Sequence, residues 1–392
     1  MTPESSTFDV AHARADRALN NAIEQLALNR ETFRSVFPGD NTQSNIYKPH
    51  ICAGYPDGAN VGWTTGLWTG QLWMAYELTD DTGFLSVAKD HVKSFAGRLT
   101  QGDDLATHDL GFLYTPSCCA AYRAIGDEEA KQSALRAADE LMSRYLENAG
   151  VIQAWGDLND PAQRGRMIID CLMNLPLLRW AGVVTGDAKY VTAADTHCCR
   201  ARDHLVRQDA STFHTYHFDS VSGKPLKGTT HQGASDSSCW ARGQAWGIYG
   251  FALNHRLAPQ LDLLGTATRL ADYFLEHLPK NGVAYWDLSF GDGSDEPWDS
   301  SASAIAVCGL LELSAQLPSH TLQSHYHGAA LRILDGLIDT CTANPSDCGG
   351  LLQHGVYHKP HGRGVDEANL WGDYFYLEAL ARVTRIHWAT QW

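Results

Sequence analysis

Residues 167–207 read Met167-Ile-Ile-Asp-Cys-Leu-Met-Asn-Leu-Pro-Leu-Leu-Arg-Trp-Ala-Gly-Val-Val-Thr-Gly-Asp-Ala-Lys-Tyr-Val-Thr-Ala-Ala-Asp-Thr-His-Cys-Cys-Arg-Ala-Arg-Asp-His-Leu-Val-Arg207. The first half is apolar nearly all round, whereas the second carries its charges on one face. A helix of the first kind is buried and one of the second kind lies on the surface. Between them, Val184-Thr-Gly-Asp-Ala-Lys places a glycine where a helix ends and an aspartate where the next begins. The stretch reads as one helical hairpin.

The same unit recurs along the chain. Leu78-Thr-Asp-Asp-Thr-Gly-Phe and Ala124-Ile-Gly-Asp-Glu-Glu are turns of the same kind. Apolar periodicity predicts helices near 9–29, 66–79, 82–99, 109–124, 127–147, 167–183, 187–207, 241–256, 260–278, 300–316, 322–342 and 371–387, with hardly any two-residue alternation. A lone hairpin cannot bury its apolar face, so repeated hairpins stack into solenoids or closed rings. The expectation is an all-α fold, a single (α/α)6 barrel over residues 1–392. Its inner ring would comprise the apolar even-numbered helices, its outer ring charged ones such as Asp127-Glu-Glu-Ala-Lys-Gln-Ser-Ala-Leu. Long loops at 150–166, 209–240, 281–299 and 345–370 precede inner helices and should gather at one mouth.

Composition narrows the function classes. A formal net charge of -15 argues against a nucleic-acid partner, which requires lysines and arginines on phosphates. No stretch of about 20 uncharged apolar residues is present, so no membrane partner is expected. The start, Met1-Thr-Pro-Glu-Ser-Ser-Thr-Phe-Asp, lacks a basic and apolar export signal, and ten cysteines then read as reduced thiols. A cytoplasmic location is expected.

Two aspartates begin inner helices among apolar neighbours, Asp109 in His108-Asp-Leu-Gly-Phe and Asp170 in Met167-Ile-Ile-Asp-Cys. Each suits a helix cap or first turn equally well. As a pair facing one cavity, their acidities would be driven apart, as general acid/base chemistry requires. Arg242, in Trp240-Ala-Arg-Gly-Gln-Ala-Trp246, can grip a carboxylate or pair with an acidic neighbour. His214, His217 and His231 lie in one polar loop, and the spacing of His214 and His217 can reach a metal, but Cys118-Cys119 and His197-Cys198-Cys199 lack the paired spacings of structural zinc, and no metal or cofactor is expected. Trp63, Trp68, Trp73, Trp155, Trp240, Trp246, Trp298 and Trp371 fall at or near the proposed mouth, a clustering that favours sugar rings. Phosphate-cradling loops and the Gly-x-Ser-x-Gly elbow are missing.

Several motifs together resemble the unsaturated glucuronyl hydrolase family. They are Trp63-Thr-Thr-Gly-Leu-Trp-Thr-Gly, His108-Asp-Leu-Gly-Phe-Leu-Tyr, Ile152-Gln-Ala-Trp-Gly, Ile168-Ile-Asp-Cys-Leu-Met-Asn-Leu-Pro-Leu-Leu, Thr230-His-Gln-Gly, Arg242-Gly-Gln-Ala-Trp-Gly-Ile-Tyr-Gly-Phe, Asp299-Ser-Ser-Ala-Ser-Ala and Trp371-Gly-Asp-Tyr-Phe-Tyr-Leu-Glu-Ala-Leu. The resemblance implies an (α/α)6 barrel that hydrates the double bond between carbons 4 and 5 of a terminal unsaturated uronate on a lyase-generated oligosaccharide. It implies Asp170 as acid/base and Asp109 as its assistant. His214, Gln232 and Arg242 would hold the uronate, with His108, His231 and His358 alongside and Trp63, Trp155, Trp240 and Trp246 as walls. Members that take sulfated substrates carry serines and a lysine near the C-terminal loop, whereas Tyr357-His-Lys-Pro-His-Gly-Arg-Gly364 has no serine, so unsulfated disaccharides are the expected substrates. Alternatives are an unsaturated rhamnogalacturonyl hydrolase of pectin breakdown, a sugar epimerase or isomerase on the same toroid, and a sugar-binding protein.

Overall fold

The computed structural model describes residues 3–346, 349–385 and 387–392, with side chains from residue 12 onward. Its turns are built as the local sequence dictates. Gly126 takes a left-handed φ of 69°, where an added Cβ would be strained, and its N–H closes the helix on Tyr122 O. Asp127 then accepts from the amides of Glu129 and Ala130 to start the next helix. Gly186 and Asp187 repeat the device, with Asp187 accepting from Lys189 N. In the first turn a left-handed Asp80 precedes the cap Asp81.

Six outer and six inner helices follow alternately. The outer ones are α1 (Pro3–Thr32), α3 (Thr82–Gln101), α6 (Glu128–Ser143), α8 (Ala188–Leu205), α10 (Leu264–Glu276) and α12 (His320–Thr340). The inner ones are α2 (Thr65–Thr79), α4 (Leu110–Tyr114) continued through a π-turn into α5 (Ala120–Ile125), α7 (Leu175–Thr185), α9 (Ala241–Leu257), α11 (Ser300–Gln316) and α13 (Leu370–Thr384). Every residue of α11 from Ser300 to Ser314 is buried, as is every residue of α9 from Ala241 to Asn254. By contrast, α6 buries one stripe, Ala130, Ser133, Ala134, Ala137, Ala138 and Leu141. Inner helices touch in the order α2, α4, α7, α9, α11, α13 and back to α2, so the ring closes as an (α/α)6 toroid.

The residues before α2 stitch the first hairpin to the last. Leu370 N donates to Asp40 O, Thr42 N donates to Ala368 O, and Asn41 bridges Asn369. At the opposite end, Trp392 stacks on Phe375 and donates Nε1 to Glu378, while Gln391 donates to Gly70 O.

Three expectations need correction. Residues 167–183 are not one helix: β3 (Arg166–Ile168) and a 3-10 segment (Ile169–Met173) precede α7. The reason is Pro176, whose missing N–H is tolerated only in a first helical turn. Likewise the helix expected over 127–147 stops at Ser143, and Tyr145–Leu146 pair as β1 with β2 (Val151–Ile152). Loops 209–240 and 345–370, of which 347–348 lie outside the described residues, carry hairpins. These are β4 (Thr215–Phe218) with β5 (Pro225–Thr229), and β6 (Gly355–His358) with β7 (Arg363–Glu367). Small sheets therefore rim one mouth of a helical ring.

Candidate active site

The 3-10 segment that replaces the start of the expected helix is what presents Asp170. β3 pairs with β4, and Ile169 N donates to His214 O, so Asp170 and His214 are held by one piece of sheet. Behind the segment, His197 Nδ1 accepts from Ile152 N at 2.7 Å, which leaves the proton on Nε2, 2.6 Å from Cys171 Sγ. Asp109 stands just before α4, and His108 N donates to Ala154 O. Arg144 fixes the adjoining loop by bonding the carbonyls of Gln153, Ala154 and Gly156, which sets Trp155 in place.

These elements enclose a cavity of about 200 Å³ lined by Trp63, His108, Asp109, Trp155, Ile168, Asp170, His214, His231, Gln232, Trp240, Arg242, Trp246 and Tyr357. His358 is adjacent: it meets His231 edge-on at 4.8 Å and stacks on His361 at 4.0 Å. The residues that the family resemblance assigns to the site thus lie at one place. Ile168 and Tyr357 were not expected. Tyr357 accepts from Trp63 Nε1 at 3.1 Å and lies in the quoted run 357–364, but only the β6–β7 hairpin turns it inward. Trp68 and Trp73 belong instead to the core of α2, and Trp371 backs Trp63 with its ring stacked at 5.0 Å. Trp298 packs on His354, away from the cavity.

The electrostatics separate the two carboxyls. His108 Nε2 lies 3.2 Å from Asp109 Oδ1 and 3.7 Å from Asp170 Oδ1. Burial opposes protonation of His108, but Asp109 and then Asp170 outweigh it and its pKa is raised. For Asp109, burial pushes upward, yet His108 and the Thr107 hydroxyl at 2.9 Å hold it below the usual carboxylate range. Asp170 is pushed up to about 7, chiefly by burial; His108 opposes this and the charge of Asp109 adds to it. Below about pH 7 the pair therefore favours an ionised Asp109 beside a protonated Asp170. His108, Asp109 and Asp170 also have ligand atoms within 4.8 Å of one another, close enough to hold a cation.

Arg242 resolves the alternatives left by its sequence context. Nη1 donates to Asp299 Oδ2 at 2.6 Å and to Val356 O, and Nη2 donates to Gln232 Oε1 at 2.7 Å and Tyr357 O at 2.8 Å. The guanidinium lies over the rings of Trp240 and Trp371, at 4.5 and 5.0 Å. It is thus paired with a buried acid, and it also orients Gln232: with Oε1 held, Nε2 is left to donate. His214 bonds the Thr215 hydroxyl through Nδ1 and keeps Nε2 without a partner. Burial, then His231 and Arg242, hold His214 well below its usual pKa, so it is neutral.

A helical ring with two carboxyls of opposed pKa shift and aromatic walls at one mouth fits the α/α-toroid class of carbohydrate-active enzymes. Residues 40–385 match the model of Glycosyl Hydrolase Family 88, and the chain belongs to that family. It is 45% identical over 378 residues to the unsaturated chondroitin disaccharide hydrolase of Streptococcus pneumoniae, covering 96% of this chain and 93% of that protein. The crystal structure of the Streptococcus agalactiae unsaturated glucuronyl hydrolase superposes with a TM-score of 0.92 at 44% identity, covering 97% and 94% of the two chains. A mutant of that protein complexed with dGlcA-GalNAc6S gives 0.85 at 42% identity, covering 97% of this chain and 94% of the mutant. Among the described residues no helix is long and apolar enough to cross a membrane.

Proposed function

We propose that this enzyme releases the terminal 4,5-unsaturated uronate from glycosaminoglycan-type disaccharides by hydrating the double bond. The observation that carries this reading is the placement of Asp109 and Asp170 in one cavity, 3.2 and 3.7 Å from the shared His108 Nε2, in surroundings that lower the pKa of the first and raise that of the second. Asp170 gives its proton to carbon 4, leaving positive charge shared by carbon 5 and the ring oxygen. Ionised Asp109 stabilises that charge from fixed, pre-paired geometry. Water then adds at carbon 5 and returns a proton to the Asp170 carboxylate. The resulting hemiketal opens, the anomeric carbon becomes an aldehyde, and the second sugar leaves with no attack at the anomeric carbon. This differs from displacement by a carboxylate pair across the glycosidic bond.

In this reading the uronate carboxylate is met by His214 Nε2 and Gln232 Nε2, Arg242 serves by orienting Gln232 through Nη2, and Trp63, Trp155, Trp240 and Trp246 exclude water from the ring. His108 bridges the two aspartates, and His231 and His358 border the second sugar. Unsulfated substrates are favoured because both nearby cations are already engaged. Lys359 pairs with Glu296 at 3.1 Å and Arg363 with Asp40 at 2.7 Å. A reducing, cytoplasmic location is supported by the nine described cysteines, all of them thiols.

The test is loss of the ultraviolet absorbance of the conjugated uronate when purified protein, with a chelator present, meets an unsulfated unsaturated chondroitin disaccharide. Decay that stops with Asp170→Asn supports metal-free hydration. A flat trace here with decay on unsaturated galacturonyl-rhamnose would assign the pectin-type substrate, and a flat trace on both would reject the reading.

A further inference from the structure

Asp109 begins α4 yet does not cap it. The first amides of a helix have no carbonyl within the helix to bond, and the side chain of the residue before the first turn ordinarily accepts from one of them. Aspartate is among the best residues for that task, but Asp109 makes no such bond. Its carboxylate accepts instead from the Thr107 hydroxyl at 2.9 Å and lies 3.2 Å from His108 Nε2. The amide of Phe112, in the first turn, is satisfied from elsewhere: it donates at 2.9 Å to Oδ1 of Asn174, 62 residues further along the chain.

Asn174 closes the 3-10 segment that carries Asp170, and its own N–H donates to Cys171 O at 2.9 Å. The residue is buried. Because a backbone N–H can only donate, the bond from Phe112 fixes which end of the carboxamide is oxygen. The amide nitrogen has no other partner, and the carboxamide adds to the forces on Asp109: burial pushes that pKa up, while His108, Thr107 and then Asn174 bring it down. Gly111 makes the close approach possible, since a Cβ there would run into the Cα and both oxygens of Asn174. The segment holding one aspartate thus caps the helix that begins at the other.

We propose that Asn174 is a positioning residue for the reaction: by capping α4 in place of Asp109, it releases the Asp109 carboxylate to face His108 and ties the two aspartates together. Without that acceptor, Asp109 is the residue placed to bond the Phe112 amide, and its side chain turns from His108 to do so. The kinetic consequence rests on the proposed hydration; the exchange of caps does not.

The experiment compares Asn174→Ala with Asn174→Asp, which keeps the acceptor, in the full-length protein. His108 is faced by Asp109, Asp170 and Arg144, with His197 and His214 nearby, and against burial it is Asp109 that does most to raise its pKa. In an NMR titration the His108 pKa should therefore fall by about one unit or more in Asn174→Ala, and hold or rise in Asn174→Asp. On the unsaturated disaccharide, kcat should fall roughly 10²-fold in Asn174→Ala with KM changed less than about twofold, and Asn174→Asp should recover about tenfold of that loss. An unchanged His108 pKa in Asn174→Ala overturns the proposal, as does an equal loss of kcat in both variants. If Asn174→Ala does not fold, Asn174→Asp decides: its added charge beside Asp109 should move the acid limb of the kcat profile up by about one unit, and a wild-type profile overturns the proposal. A His108 pKa that falls in Asn174→Ala, in a protein whose wild type leaves the disaccharide intact, would keep the exchange of caps and reject the proposed hydration.

Discussion

Replacing Asp170 by Asn tests whether the structure holds a proton where the chemistry needs one. The carboxyl rises from 3.8 to about 7, chiefly through burial. At about 1.4 kcal/mol per unit, this makes its ionisation cost roughly 4 kcal/mol of stability. The sign follows from linkage: a raised folded-state pKa stabilises fully below the unfolded value of 3.8 and is lost as pH rises through about 7. Between pH 5 and pH 8 the wild-type protein should therefore lose about 2–3 kcal/mol that the Asn variant keeps. Asp373, also raised to about 7 by burial, contributes the same slope to both proteins and cancels in the difference. Urea unfolding of the two proteins at both pH values measures it. Activity should fall by roughly 10²–10⁴ in the variant, and the wild-type rate should decline above about pH 7 as the donor loses its proton. Parallel stability profiles would refute the reasoning, since Asp170 would then be an ordinary carboxylate and a poor donor.

Three further outcomes follow from neighbouring contacts. His197→Phe strands the buried Ile152 N–H and loosens the 3-10 segment, so kcat and the alkaline limb should shift with little change in KM, at about 1–3 kcal/mol of stability by urea unfolding. Arg242→Met leaves the buried Asp299 without its cation and should cost about 3–5 kcal/mol, read from the same titration, with loss of activity as Gln232 is released. Glu296→Gln frees Lys359, and the rate on a sulfated disaccharide relative to its unsulfated counterpart should rise roughly two- to fivefold in a competition assay.

The ring was legible because each hairpin is specified locally. Gly126-Asp127 and Gly186-Asp187 stop one helix and cap the next without help from distant residues. What the sequence concealed depends on partners far along the chain. Ile168 and Ile169 satisfy a helical period as well as a strand, and only pairing of β3 with Thr215–His217 decides against the helix; Pro176 was the local signal that α7 begins later. The tryptophans were similarly ambiguous, because Trp63 and Trp68 differ not in kind but in whether the chain turns them toward the cavity or the core. Pairing of Arg242 with Asp299 joins two inner helices and had no signature in either motif.

Contacts between residues 40–42 and 368–370 also govern how such a chain is made. A ribosome delivers the second half of this clasp only after every intervening hairpin of the ring. Until then the inner face of α2, buried over Thr65–Ala75 in the finished ring, has no α13 to cover it. The nascent chain must carry an open apolar edge until α13 emerges, a state prone to aggregation and suited to chaperone capture. Because Tyr357 and Trp371 arrive with that same last segment, the catalytic mouth is completed only when the ring shuts, and a partly made copy has no enzyme to offer the cell.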